Sequence, residues 1–175
     1  RRPHPDPSGP CRRDNHNLVY DPVGKVHWLF NGISYDNVQP GCNRGATWTY
    51  DRAKNEWTKI AVSGDRQHRL APGVAYDPDR REFLQFGGGA VSLSNTTVRL
   101  KIAERRWELV KTNSAPPPRT NIEGGLVYDR AHKMFVLFGG KGSKGVLNDT
   151  WTIEPSQQKW ERKNPSVSPP AREVH

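Results

Sequence analysis

Long hydrophobic runs are missing from this chain: none approaches the length that spans a bilayer, and no apolar signal segment opens it. Mean hydropathy is −0.87, and an apolar content of 33% is low for a globular domain. The histidines, His4, His16, His27, His68, His132 and His175, show no spacing that would build a metal site, so no metal is expected. Gly87-Gly88-Gly89 and Gly139-Gly140 follow apolar runs but lack the Lys-Ser/Thr and the helix of a phosphate-cradling loop. They read instead as sharp backbone turns. Asp77 and Asp79 share a tight turn, which explains paired carboxylates better than acid–base chemistry does. No catalytic residue and no cofactor is therefore expected.

What the chain does contain is internal repetition. Tyr20-Asp21 is followed by Trp28-Leu29-Phe30-Asn31-Gly32, Tyr76-Asp77 by Leu84-Gln85-Phe86-Gly87-Gly88, and Tyr128-Asp129 by Val136-Leu137-Phe138-Gly139-Gly140. An Arg opens each copy, at Arg13, Arg69 and Arg119 and again at Arg172, and a Trp closes it, at Trp57, Trp107 and Trp160. A repeat of about fifty residues dictates a modular architecture. Each copy holds four short apolar or β-branched runs between turn formers, the pattern of a four-stranded antiparallel meander. In the first copy the runs fall at about 18–20, 26–30, 46–50 and 56–62. Asp21-Pro22-Val23-Gly24 is a turn for a physical reason: Asp bonds backbone two residues on, Pro presets φ, and Gly accepts φ > 0. Asp77-Pro78-Asp79-Arg80 repeats the idea. The rings in register, such as Phe30, Phe86 and Phe138 or Trp48 and Trp151, are packing positions first.

This layout resembles the kelch repeat, whose units carry an opening Arg, an apolar strand ending in Gly-Gly, an Asn-Asp-Thr-Trp segment and a later Trp. The third copy matches best, with Leu147-Asn148-Asp149-Thr150-Trp151-Thr152 between Gly139-Gly140 and Lys159-Trp160. The first departs with Asn31-Gly32 for Gly-Gly, and the second has Thr97-Val98 for Thr-Trp. The resemblance covers essentially the whole chain. It implies an all-β propeller of four-stranded antiparallel blades, three of them here at 13–68, 69–118 and 119–171. Residues 1–12 then form a Pro-rich linker or the tail of a preceding blade, and 172–175 begin another. Such units close into rings of roughly four to eight blades, so three need completion. A piece of a larger propeller is the favoured explanation, because exposed edge strands are an aggregation hazard and the chain stops within a strand of the next unit. Separate chains completing a ring together is the alternative. Galactose oxidase shares the kelch architecture, but no position here matches its crosslinked Tyr–Cys and two His ligands. A non-catalytic scaffold is the expected function; the alternative is part of an extracellular enzyme or sugar-binding propeller whose active residues lie outside this chain.

In a meander of this order, Cys11 before the first strand and Cys42 between the second and third emerge at one end of the blade. A disulfide closing about thirty residues is expected there, worth about 3 kcal/mol by chain entropy, with two unrelated loop thiols as the alternative. The bridge would imply an oxidising compartment, so a secreted or periplasmic location is favoured over the cytoplasm.

The formal charge of +9 divides evenly among the three copies. The tight turns joining strands one to two and three to four sum to zero, so the whole excess belongs to the remaining loops, which emerge on one face. That face is expected to bind through Arg44, Arg66, Lys141 and Lys144, with Tyr35 as a contact aromatic. Arg13, Arg69, Arg119 and Arg172 recur in register and are expected to brace neighbouring blades by pairing with acids or carbonyls. A protein, acidic in character, is the expected partner, with a glycan or other polyanion second. Nucleic acid is disfavoured because most aromatics, Tyr35 and Trp28 excepted, are committed to packing. Asn95-Thr96-Thr97 and Asn148-Asp149-Thr150 fit the N-glycosylation pattern but coincide with the repeat's own Asn-x-Thr, which gives them a structural reading.

Overall fold

A computed structural model describes residues 9–33, 46–65, 69–89 and 92–173. Its regular elements among these are all strands. The first sheet runs in chain order through β1 (Asp14–Asp21), β2 (Val26–Ile33), β3 (Thr47–Asp51) and β4 (Glu56–Ile60). A short β5 (Ser63–Gly64) precedes the second meander, β6 (Gly73–Asp77), β7 (Glu82–Phe86), β8 (Thr97–Lys101) and β9 (Arg106–Val110). After β10 (Arg119–Thr120) come β11 (Leu126–Asp129), β12 (Met134–Phe138), a hairpin of β13 (Lys141–Gly142) and β14 (Gly145–Val146), then β15 (Thr150–Ile153) and β16 (Trp160–Lys163). β11, β12, β15 and β16 make the third meander, and β10 pairs with the β13–β14 hairpin. The protein is thus all-β, a partial propeller of three antiparallel blades. First strands β1, β6 and β11 touch in succession and lie innermost.

β1 starts ahead of its apolar run because a ladder needs backbone rather than hydrophobic side chains: Asp14 pairs with Ile33 and His16 with Asn31. The turns hold for the expected reason. Asp21 Oδ1 accepts the amides of Val23 (2.9 Å) and Gly24 (3.0 Å), and Asp51, Asp77 and Asp129 do the same in their own turns. The Asn31-Gly32 departure also has a cause. Both residues sit at positive φ, 59° and 83°, as do Gly139 and Gly140 at 66° and 92°, and Asn is the side chain that best tolerates that region.

Blades pack face against face, each presenting a downstream face to the upstream face of the next. Trp28, Phe30, Val19 and Ile60 of the first meet Val74, Phe83, Val98, Leu100 and Trp107 of the second. Ala75, Leu84, Phe86 and Val110 of the second then meet Leu126, Phe135, Leu137, Ile153 and Trp160 of the third. Volumes compensate across the two interfaces. Where the first blade presents the bulky Trp28, the second answers with Val98; where the second presents Leu84, the third answers with Trp151. This explains Thr97-Val98 as a matched substitution. It also corrects the sequence reading of Trp28 as an uncommitted aromatic. Trp28 is buried, its ring 5.8 Å from Phe30 and 5.7 Å from Phe83, because its place in the β2 alternation turns it into the interface.

Two further devices join the blades. Tyr76 Oη donates to Asp21 Oδ1 at 2.7 Å, and Tyr128 Oη to Asp79 Oδ2 at 3.2 Å. Burial, with Asp21 adding to it, pushes the Tyr76 phenol up to about 12. Burial, reinforced by Asp77 and Asp79, raises Tyr128 as well. At the outer rim, the segment leaving each fourth strand crosses to the next blade: Ser63–Gly64 adds in parallel to Arg106–Trp107. Ser114 accepts the Trp160 amide at its own carbonyl and donates its hydroxyl to the Trp160 carbonyl.

Candidate partner-binding face

The opening arginines repeat one hydrogen-bond scheme with graded acceptors. Nε donates to the carbonyl two residues back, from Arg13 to Cys11, Arg119 to Pro117 and Arg172 to Pro170. Nη1 then reaches a carbonyl near the end of the second strand, Asn31 O within β2 for Arg13 (3.2 Å) and Gly139 O just past β12 for Arg119 (2.9 Å). The residue before strand three completes the scheme differently in each blade. Arg13 takes the Ala46 carbonyl, Arg69 takes the Thr96 hydroxyl at 2.6 Å, and Arg119 forks onto the Asp149 carboxylate at 2.6 and 2.8 Å. Burial lowers Arg69. Burial would raise Asp149, but the hydrogen bonds from Arg119 and Trp151 outweigh it and hold the carboxyl below its usual range. Arg119 is fully buried, and its backbone meanwhile fastens the preceding blade, accepting from Gly88 and donating to Ser94.

Past each arginine the chain turns into the first strand through a left-handed residue: Asn15, Ala71 and Asn121, at φ 51°, 51° and 54°. The Ala71 amide bonds to Asn15 O and the Ile122 amide to Ala71 O, both at 3.2 Å, which links blade to blade around the channel mouth. A cavity of about 400 Å3 opens there, lined by Asn15, Leu70, Ala71, Gly89, Ser92, Leu93, Thr120 and Asn121. Its lining is mixed: Leu70, Ala71 and Leu93 supply apolar surface, and Asn15, Ser92, Thr120 and Asn121 supply amides and hydroxyls. Asn121 Nδ2 donates to Glu173 (2.9 Å), and Thr120 Oγ1 donates to Leu70 O (3.1 Å).

Of the residues expected to bind, Lys141 and Lys144 lie on the β13–β14 hairpin, exposed. Lys141 pairs in register with Thr120 and so stands at the cavity rim, its Nζ 3.8 Å from Glu173. Arg44, Arg66 and Tyr35 lie outside the described residues, as does Cys42; Cys11 is disulfide-bonded. The arginine positions contribute unequally to the face's charge, since Asp149 neutralises Arg119 internally, whereas Arg172 is exposed. Among the described residues no cluster of His, Cys, Asp or Glu could hold a metal ion.

Sequence reasoning missed Glu123. Its Oε2 is buried without a hydrogen-bond partner, and burial pushes its carboxyl up. A signal was present: Arg119 and Tyr128 are two residues further apart than Arg13 and Tyr20 or Arg69 and Tyr76, and Glu123 sits in that extra length. The cavity itself had no such signal, because the left-handed position holds Asn15 and Asn121 in two blades but Ala71 in the one between, and the rest of the turn is backbone.

The family model described as the KLHDC2/KLHL20/DRC7 Kelch-repeats domain matches residues 1–175. Adagio-like protein 1 of Oryza sativa subsp. japonica is 32% identical over 117 residues, covering 58% of this chain and 18% of that protein. Putative adagio-like protein 2 of the same organism is 31% identical over 119 residues, covering 65% of this chain and 18% of its own length. The chain thus spans under a fifth of the curated relatives it matches.

Proposed function

We propose, on the premise that this chain belongs to the kelch-repeats domain family whose model spans it, that it is a non-catalytic scaffold binding a protein partner through its loop-bearing face. The observation that carries this reading is the channel-mouth cavity. Its lining pairs the Asn15, Ser92, Thr120 and Asn121 side chains with apolar Leu70, Ala71 and Leu93, which suits an inserted peptide segment that needs hydrogen-bond partners for its backbone and a contact for an apolar side chain. Lys141 and Lys144 at and beside the rim favour acidic side chains flanking that segment. Arg44, Arg66 and Tyr35, which lie outside the described residues, enter the proposal from the sequence alone. The Cys11–Cys42 pairing and the oxidising compartment it implies are part of the proposal, supported by the bonded state of Cys11.

Panning a random peptide library on the folded chain tests the reading. Enrichment of acidic peptides is expected, and Lys141→Glu with Lys144→Glu should weaken a selected peptide roughly tenfold, about 1.4 kcal/mol, with circular dichroism unchanged. Peptides without acidic bias, or a selected peptide that binds the double variant equally well, would remove the basic rim from the proposal.

A further inference from the structure

Between left-handed Asn121 and β11 the third blade inserts a type II turn, Ile122-Glu123-Gly124-Gly125. The Gly125 amide bonds to Ile122 O at 2.9 Å, and Gly124 takes the φ of 80° that the third position of such a turn demands. The second blade passes from Ala71 to β6 through Pro72 alone, so Glu123 and Gly124 are additions that the route to the strand does not need. The turn sits at the junction of the second and third blades, beside their innermost strands. There the Ile122 amide bonds to Ala71 O at 3.2 Å, and a Cβ on Gly73, the first residue of β6, would lie 3.5 Å from Ile122 O.

Glu123 is a poor choice for folding alone. The residue is half-buried, its Oε2 is buried without a hydrogen-bond partner, and among the described residues no Lys, Arg or His pairs with it. Burial raises its carboxyl accordingly. Other sheltered acids are all engaged: Asp21 by Tyr76, Asp77 by Arg80, Glu82 and Glu108 by Arg99, and Asp149 by Arg119. A carboxylate kept from water without a donor costs stability, which marks it for binding rather than packing. Asn121, two residues earlier, lines the channel-mouth cavity, and two residues of chain reach at most about 7 Å. The cavity also offers the apolar surface of Leu70, Ala71 and Leu93. A Lys or Arg side chain matches both features, because its aliphatic stem lies along apolar surface while its charged head reaches on to the carboxylate.

We infer that Glu123 receives a Lys or Arg side chain that the partner inserts through the channel-mouth cavity, while Lys141 and Lys144 at and beside the rim take acidic residues flanking it. The inference rests on the reading that this cavity accepts a peptide segment of a protein partner. It narrows that partner to a basic residue set between acids, a pattern that a face of one sign could not select.

Panning the random peptide library in parallel on the wild type, on Glu123→Gln and on the Lys141→Glu, Lys144→Glu double variant separates this inference from the rim reading. The wild type should enrich peptides with an internal Lys or Arg between acidic residues. On Glu123→Gln the acidic bias should stay and the basic residue should lose its enrichment; on the double variant the reverse should hold. A wild-type peptide whose basic residue is replaced by Gln should bind the wild type about tenfold more weakly, yet bind Glu123→Gln as its parent does. Urea unfolding should find Glu123→Gln at least as stable as the wild type, because no internal partner is lost. Three results would each overturn the inference: no basic residue enriched, a basic residue enriched equally on Glu123→Gln, or a Glu123→Gln that unfolds more easily. Basic enrichment that depends on Glu123 but comes without acidic bias would uphold Glu123 and remove only the rim lysines.

Discussion

Removing the Asp149 carboxylate should be among the most damaging single changes in the third blade. Arg119 is fully buried, and its guanidinium makes four hydrogen bonds: to Pro117 O, to Gly139 O and two to Asp149. Asp149→Ala leaves the first two, strips the counter-charge and orphans the Trp151 indole N–H, which donates to the same carboxylate at 2.7 Å. A buried charge that loses its partner costs about 3–5 kcal/mol, a large share of the roughly 5–15 kcal/mol that holds a domain folded. Asp149→Asn keeps one acceptor toward the guanidinium and should cost less, about 2 kcal/mol. Thr96→Val removes a single neutral acceptor from Arg69 and should cost about 1 kcal/mol. Urea unfolding followed by tryptophan fluorescence gives all three. The sign with pH follows from Asp149 being held below its usual range in the folded protein. Its contribution is complete above the unfolded value near 3.9 and fades as pH falls through the lower folded value. The gap between wild type and Asp149→Asn should therefore be flat from about pH 5 to 8 and close in stronger acid. Asp149→Ala costing under about 1 kcal/mol, or no more than Thr96→Val, would refute the argument.

The two inter-blade tyrosines should differ. Tyr76→Phe deprives the buried Asp21 of a 2.7 Å donor and should cost about 1.5–3 kcal/mol, while Tyr128→Phe loses an exposed 3.2 Å bond and should cost under about 1 kcal/mol, readable in the same urea experiment. Because the Tyr76 phenol is raised to about 12, its stabilisation is complete below the unfolded value near 10 and is lost as pH rises through the folded one. Ultraviolet titration should show two tyrosines ionising late, Tyr76 and Tyr128, of which Tyr76→Phe removes one. Reductant should raise the intact mass by about 2 Da if Cys11 and Cys42 pair within one chain, and lower stability by about 3 kcal/mol; a mass unchanged by reductant would reject the pairing.

The meander was legible in the sequence because period-two runs, Asp-led turns and registered rings all mark backbone requirements that recur in each blade. Asn31-Gly32 and Thr97-Val98 looked like departures only because a repeat read along the chain is blind across it. Asn31 meets the same positive-φ requirement as glycine, and Val98 answers Trp28 in the neighbouring blade. Trp28 was misread for that reason. Its β2 position decides its surroundings, and no residue near it in sequence supplies them; Phe83 is the ring it meets. The cavity lay beyond reach because left-handed turns shape its mouth, whereas Lys141 and Lys144 were singled out by charge alone.

The repeat fixes the cation and varies what satisfies it. Ala46, Thr96 and Asp149 occupy one position and offer their arginines a carbonyl, a hydroxyl and a carboxylate in turn. Only the third cancels the charge, so only Arg119 is withdrawn from the electrostatics of the loop face, which means that counting opening arginines overstates its positive potential. The cation left exposed beside the third blade is Arg172, with Lys144 on the nearby hairpin, while Lys141 faces Glu173 at 3.8 Å. Among the described residues, a partner drawn by charge to the third-blade side of the cavity, where the hairpin stands over Thr120, would therefore meet Arg172 and Lys144 and not Arg119.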